Sequence, residues 1–183
     1  MWGYRAALQS DQELIAAVLV GRRSAFADLV RRYERTVRAV TVGVLRDHHA
    51  AEDAAQETFV AAYRRLGTLR DTSAFGSWLT TIARRRAIDM ARRTHRQVPL
   101  DAAGEVPAAA GDGRLDEQSE RLLAEVMRLP EGQRVATMLR HFDGHSVQEI
   151  ADIMGRPVGT ITKLLSRAHQ RLRRRLREKE SLR

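Results

Sequence analysis

The sequence predicts an all-α protein built as two small helical domains joined by a flexible linker, the second containing a helix-turn-helix. Three observations carry that expectation. No alternating apolar run marks a strand, and the helix formers Ala, Leu, Arg and Glu dominate. Apolar residues recur at helical spacing in two blocks, parted by a stretch rich in Pro, Gly and Ala with no period. The second block ends in a capped short helix, a glycine turn and a longer basic helix, the three parts of a helix-turn-helix. The expected boundaries are 1–94, 95–114 and 115–183.

Residues 1–10 show no period, so Trp2 and Tyr4 are left as packed or dangling. Asp11-Gln-Glu opens a short helix with acids in its first turn, ended by Gly21. Ser24 reads as the N-cap of a long helix with Phe26, Leu29, Val30, Tyr33, Val37, Val40 and Val44 inward. Asp47 caps the next helix, which is acidic and alanine-rich and runs to Leu66. After the turn Gly67–Ser73, Phe75, Trp78, Leu79 and Ile82 fall at i, i+3, i+4 and i+7, one apolar face of a further helix. Past Ala83 arginines overrun that face.

From Thr94 to about Arg114, Pro99, Gly104, Pro107, three consecutive alanines and Gly111-Asp-Gly113 leave little to bury. About twenty residues at ~3.3 Å each reach at most ~66 Å, just under two turns of B-DNA. Helical order resumes at Leu115, with Leu122, Leu123 and Val126 on one face, and breaks at Leu129-Pro130. Val135, Met138, Leu139 and Phe142 mark the next helix, which stops at Gly144. Ser146-Val-Gln-Glu149 is a capping box that starts a short helix with Ile150, Ala151 and Ile153 inward. Gly155 supplies the turn, and Pro157 to about Arg177 forms the last helix.

The charge is +9 with a pI near 11.1, which favours a polyanionic partner, and its distribution points to two contacts. Residues 84–96 hold six arginines against Asp89, and residues 156–183 hold ten Lys/Arg against two glutamates. Between them, residues 97–131 carry eight acids against three arginines. There is no cysteine, which excludes disulfides and thiolate metal sites. No apolar run approaches the ~18 residues of a membrane span, and Met1 precedes no signal-peptide core, so no membrane insertion and a cytoplasmic location are expected.

Asp53, Gln56 and Glu57 share one helix face and suit a partner helix rich in arginine, against the plain reading of a solvated face. A single nucleic-acid strand would need a base pocket and a cationic track, which the 67–73 loop with Arg84, Arg85 and Arg86 can provide. Trp78 lies on the apolar stripe and reads as core before stacking platform. In the last helix Thr160, Lys163, Arg167 and Arg171 form one groove-facing stripe, and Leu164, Leu165, Ala168 and Leu172 are core candidates. Backbone N–H groups at Val158, Gly159 and Thr160 suit a phosphate.

Two blocks of residues together resemble the extracytoplasmic-function class of bacterial sigma factors. The first comprises Ala51-Glu-Asp-Ala-Ala-Gln-Glu-Thr-Phe59, Phe75-Gly-Ser-Trp-Leu-Thr-Thr-Ile-Ala-Arg84 and Ala87-Ile-Asp89. The second comprises Leu129-Pro-Glu-Gly-Gln-Arg134, Gly144–Ile153 and Pro157-Val-Gly-Thr160. The resemblance covers about 24–94 and 115–177. It implies a factor, not an enzyme, that binds core RNA polymerase, reads a −35 element as duplex and a −10 element as melted non-template strand. On that pattern Asp53, Gln56 and Glu57 dock on polymerase. Arg70, Asp71, Ser73, Trp78, Arg84, Arg85 and Arg86 meet the single strand. Arg156, Gly159, Thr160, Thr162, Lys163, Ser166, Arg167 and Arg171 meet the duplex. The linker matches the segment that threads toward the polymerase active site. An anti-sigma partner is admitted; no cofactor or metal is expected, and no further C-terminal regulatory domain.

Where the family commonly has Lys-Ser-Arg-Leu, this chain has Thr162-Lys163-Leu164-Leu165. The cation moves by one residue, roughly 100° around the helix, and an arginine position becomes apolar. Leu164 is therefore expected to pack against the preceding helix. Two rival readings differ in class. A helix-turn-helix regulator that ignores polymerase would need a ligand or dimer module in place of the first block. An enzyme would rest on His48, His49, Glu52 and Asp53, which offer one i, i+4 pair and no distant third ligand.

Overall fold

The computed structural model describes residues 10–97 and 117–180. Eight helices occupy them: α1 (Asp11–Leu19), α2 (Ser24–Leu45), α3 (His48–Arg65), α4 (Phe75–Gln97), α5 (Glu117–Met127), α6 (Glu131–His141), α7 (Val147–Met154) and α8 (Val158–Glu180). Among the described residues there is no strand, so the all-α expectation stands. Most of the expected linker, with Trp2, Tyr4 and Leu115, lies outside the described residues. Helix α4 runs to Gln97, past the expected boundary at 94.

Local chemistry sets the ends of these helices. Ser10, not a residue singled out above, caps α1 through a reciprocal capping box with Glu13. Asp47 caps α3 by accepting from the Ala50 N–H at 2.9 Å. Ser24 is the first residue of α2 rather than its cap; Arg23 holds that position with no side-chain bond. Two 3-10 turns, Leu66–Thr68 and Thr72–Ala74, carry the chain from α3 to α4.

Helices α2, α3 and α4 pack into a bundle, with α1 across one end. Leu14, Ile15, Leu29, Val37, Leu66, Phe75 and Leu79 are fully buried within it or nearly so. Tyr33 meets the Phe75 ring edge-on at 5.2 Å and bonds Asp11, which also pairs with Arg32. Burial and the Asp11 bond push the Tyr33 hydroxyl pKa up. In the second group, α6 and α7 pack on α8 through Leu139, Ile150, Ile161, Leu165, Ala168 and Leu172.

The two groups share one hydrophobic core. Helix α6 lies on α2, and α7 lies on α4. Helix α2 is therefore buried on a second face, Thr36, Ala39 and Gly43, which the apolar spacing did not mark. Two expected inward residues are corrected by the structure. Phe142 is 44% exposed: it keeps helical backbone angles as the C-cap of α6, one residue past His141, and at that helix end its ring is only partly covered. Leu122 is 42% exposed, at the outer edge of the α5 stripe that Leu123 and Val126 bury.

Candidate nucleic-acid interface

Helix α3 presents Asp53, Gln56 and Glu57 together on its exposed side, while Ala51, Ala54 and Thr58 turn inward. The small alanines let α3 lie close to its neighbours and leave the polar face outward. Glu57 is partly engaged, its carboxylate 3.6 Å from the Arg86 guanidinium. On the same helix, His48 lies 3.2 Å from Glu52, which also pairs with Arg38. No three His, Cys, Asp or Glu residues among those described converge as a metal site.

The loop before α4 is held by its own side chains. Asp71 accepts from both the Ser73 N–H at 2.9 Å and the Ser73 hydroxyl at 2.5 Å. Those bonds hold the Asp71 carboxyl below its usual range. Asp71 and Ser73 thus shape a turn, and Arg70 is exposed at its edge. Trp78 is half-buried, packed on the core and tilted 40° against Phe75 at 5.9 Å. That placement makes it a wall of the bundle. Among the three arginines, Arg85 is exposed, Arg84 lies 2.8 Å from Glu131 of α6, and Arg86 faces Glu57. The cationic track is therefore partly neutralised by the protein's own acids.

In the second group Ser146 and Glu149 form both halves of the capping box, at 3.2 and 2.7 Å. Gly155 turns the chain at φ +59 into α8, a conformation that disfavours other residues. Burying Ile161, Leu165, Ala168 and Leu172 fixes the rotation of α8. Lys163, Ser166, Arg167 and Arg171 then point outward, with Thr160 half-exposed at the start. Arg156 and Gly159 are exposed, and space around Gly159 is open.

Three details depart from expectation. Thr162 donates its hydroxyl to the Val158 carbonyl at 3.0 Å, leaving its methyl as the outward group. The Thr160 N–H is bonded to the Pro157 carbonyl at 2.8 Å, which removes it from the free donors of the helix start. Leu164 packs on the start of α6, its methyls 3.7 and 3.8 Å from where a Gly132 Cβ would sit, and it stays half-buried rather than buried.

The spacing of apolar residues missed the contacts between the groups. Thr36, Gly43 and Arg134 are buried there, and their sequence signal is only a run of small residues on α2.

Comparison with known proteins agrees with this arrangement. Residues 29–97 match the family model of Sigma-70 region 2, and residues 119–172 match that of Sigma-70 region 4. The chain is 35% identical to the RNA polymerase sigma-H factor of Pseudomonas aeruginosa, over 88% of this chain and 91% of that protein. It is 32% identical to the ECF RNA polymerase sigma factor SigW of Bacillus subtilis, over 90% and 95%. Among solved structures, the sigma factor RpoE of Bartonella quintana, in complex with the anti-sigma factor NepR, matches with a TM-score of 0.59 and 27% identity, covering 82% of this chain and 97% of that one. CnrH, in complex with the cytosolic domain of CnrY, shares the fold at a TM-score of 0.68 and 24% identity, covering 93% and 99%.

Proposed function

This chain belongs to the extracytoplasmic-function (ECF) branch of the sigma-70 family, non-enzymatic factors of transcription initiation, and from that premise we propose how its surfaces divide the work. The α3 face of Asp53, Gln56 and Glu57 docks core RNA polymerase. The 67–74 loop, with Arg70, Arg84, Arg85 and Arg86, holds the melted non-template strand of the −10 element. Asp71 and Ser73 shape the loop, and Trp78 backs it. Helix α8 reads the −35 element as duplex through Thr160, Lys163, Arg167 and Arg171, with Arg156, Gly159, Thr162 and Ser166 at the margins. The observation that carries this reading is the rotation of α8, whose buried stripe leaves its cations outward as one set.

The protein acts in the cytoplasm, where polymerase and promoter are. A protein regulator completes the set of partners, by analogy with the RpoE–NepR pair. The test is run-off transcription from genomic fragments by purified core polymerase, with and without the protein. Specific transcripts that depend on the protein, and co-elution with core enzyme, are expected. Duplex binding with neither would instead leave a helix-turn-helix regulator that ignores polymerase.

A further inference from the structure

Within the second helical group, α6 and α8 bring together two histidines that lie 28 residues apart in the chain. His141 is the last residue of α6 and His169 stands midway along α8, and their Nε2 atoms are 3.1 Å apart. The rings are inclined at 56°, so the edges that bear Nε2 meet and the faces do not stack. At that separation one neutral ring donates its Nε2 proton to the other. Two nitrogens bound tetrahedrally to one zinc ion at ~2.0–2.1 Å lie ~3.3 Å apart, so a small ring rotation would let both rings share a metal. The donor ring need only move its proton to Nδ1.

Rigid elements hold the pair in place. Leu165 and Ala168, four residues and one residue before His169, are buried in the core with Leu139 of α6. Arg140 closes the end of α6 by donating to the His145 carbonyl at 2.9 Å. Partial burial, then His169 and Arg140, hold His141 below the ordinary histidine range, which keeps the ring neutral at neutral pH. Both histidines are exposed, so an ion can reach them from solvent. No third His or carboxylate joins them among the described residues, and Arg173 and Arg174 line the same cleft as His169. Water or an anion would therefore fill the remaining positions. Two imidazoles without a carboxylate suit Zn²⁺, Ni²⁺ or Cu²⁺, and offer nothing to Mg²⁺ or Ca²⁺, which take oxygen ligands.

We propose that His141 and His169 form a two-imidazole site for a divalent transition metal such as Zn²⁺, which clamps α8 to α6. Zn²⁺ titrated into the full chain near neutral pH and followed by calorimetry should show a saturable site. His141→Gln and His169→Gln should each weaken it at least tenfold, with helical circular dichroism unchanged because both positions are exposed. His48→Gln, which alters the neighbouring pair His48 and His49 on α3, should leave it as it was. Affinity should fade as the pH drops through the histidine range, since protons compete for both rings. The melting temperature of the wild type should climb with Zn²⁺ concentration, and that of either Gln variant at the pair should not. The absence of a saturable site, its survival in either of those variants, or its loss in His48→Gln overturns the assignment. Saturation without a rise in melting temperature would mean that the unfolded chain binds equally well, which overturns the clamp. Neither polymerase nor DNA enters these measurements, so their failure leaves the sigma-factor reading untouched.

Discussion

At the scale of single residues, the structure separates groups that hold the fold from groups free to meet a partner. Lys163 is exposed on the outward stripe of α8, while Leu164 packs half-buried on the start of α6. Lys163→Ala should weaken duplex binding with an unchanged denaturation midpoint; if it contacts a phosphate, the slope of log K against log salt falls by ~0.9. Leu164→Ala should instead cost about 1–2 kcal/mol in urea denaturation, less than a fully buried leucine would, because much of its surface already meets water. Asp53 and Gln56 have no packing role on α3, so Asp53→Ala with Gln56→Ala should lower affinity for core polymerase while circular dichroism and melting stay unchanged. A fall in melting temperature would make that face structural.

Helices show what a local reading can and cannot reach. The capping box at Ser146 is legible because its partners lie three residues apart, and the box at Ser10 carries the same signature. Ser146→Ala should cost ~1 kcal/mol. The Ser146 bonds hold the Glu149 carboxyl below its usual range, so their contribution is present above about pH 4.5 and is lost as the pH falls through the lowered folded value. Wild-type stability should therefore fall in acid and Glu149→Gln should flatten that fall, whereas Ser146→Ala keeps the larger bond, from the residue-146 N–H to the Glu149 carboxylate. Between α6 and α8, His141 and His169 stand 3.1 Å apart at Nε2. Burial first, then His169 and Arg140, hold His141 below the ordinary histidine range. The unfolded chain binds that proton more readily, so stability should rise with pH through the histidine range, and His141→Gln should flatten the rise. The core stripe of α8 was also legible, since Leu165, Ala168 and Leu172 keep helical spacing. The second buried face of α2 was not. Thr36, Ala39 and Gly43 suit a solvated surface equally well, and the hydrogen-bond partners of Thr36 and Gly43 lie 91 to 109 residues further along the chain. Phe142 misled for the opposite reason: its spacing holds, but it sits at the C-cap of α6, where its ring stays 44% exposed.

At the scale of the whole molecule, one hydrophobic core runs through both helical groups, so neither is insulated from the other. Scanning calorimetry should show one cooperative transition, not two; a pair of separate peaks would mean that the groups melt as independent bodies. The sequence suggested two bodies on a tether because charge and composition change abruptly between residues 97 and 131, whereas the faces that join them are written in small residues. This same join turns one position against the helix that contains it. Glycine inside a helix costs ~1 kcal/mol relative to alanine, so Gly43 is where an engineer improving α2 would first intervene. Any such substitution strengthens the helix on its own terms and evicts Val135 from its seat. Helical content and unfolding temperature should then move in opposite directions, and a screen for thermal robustness would discard the variant that had made the better helix.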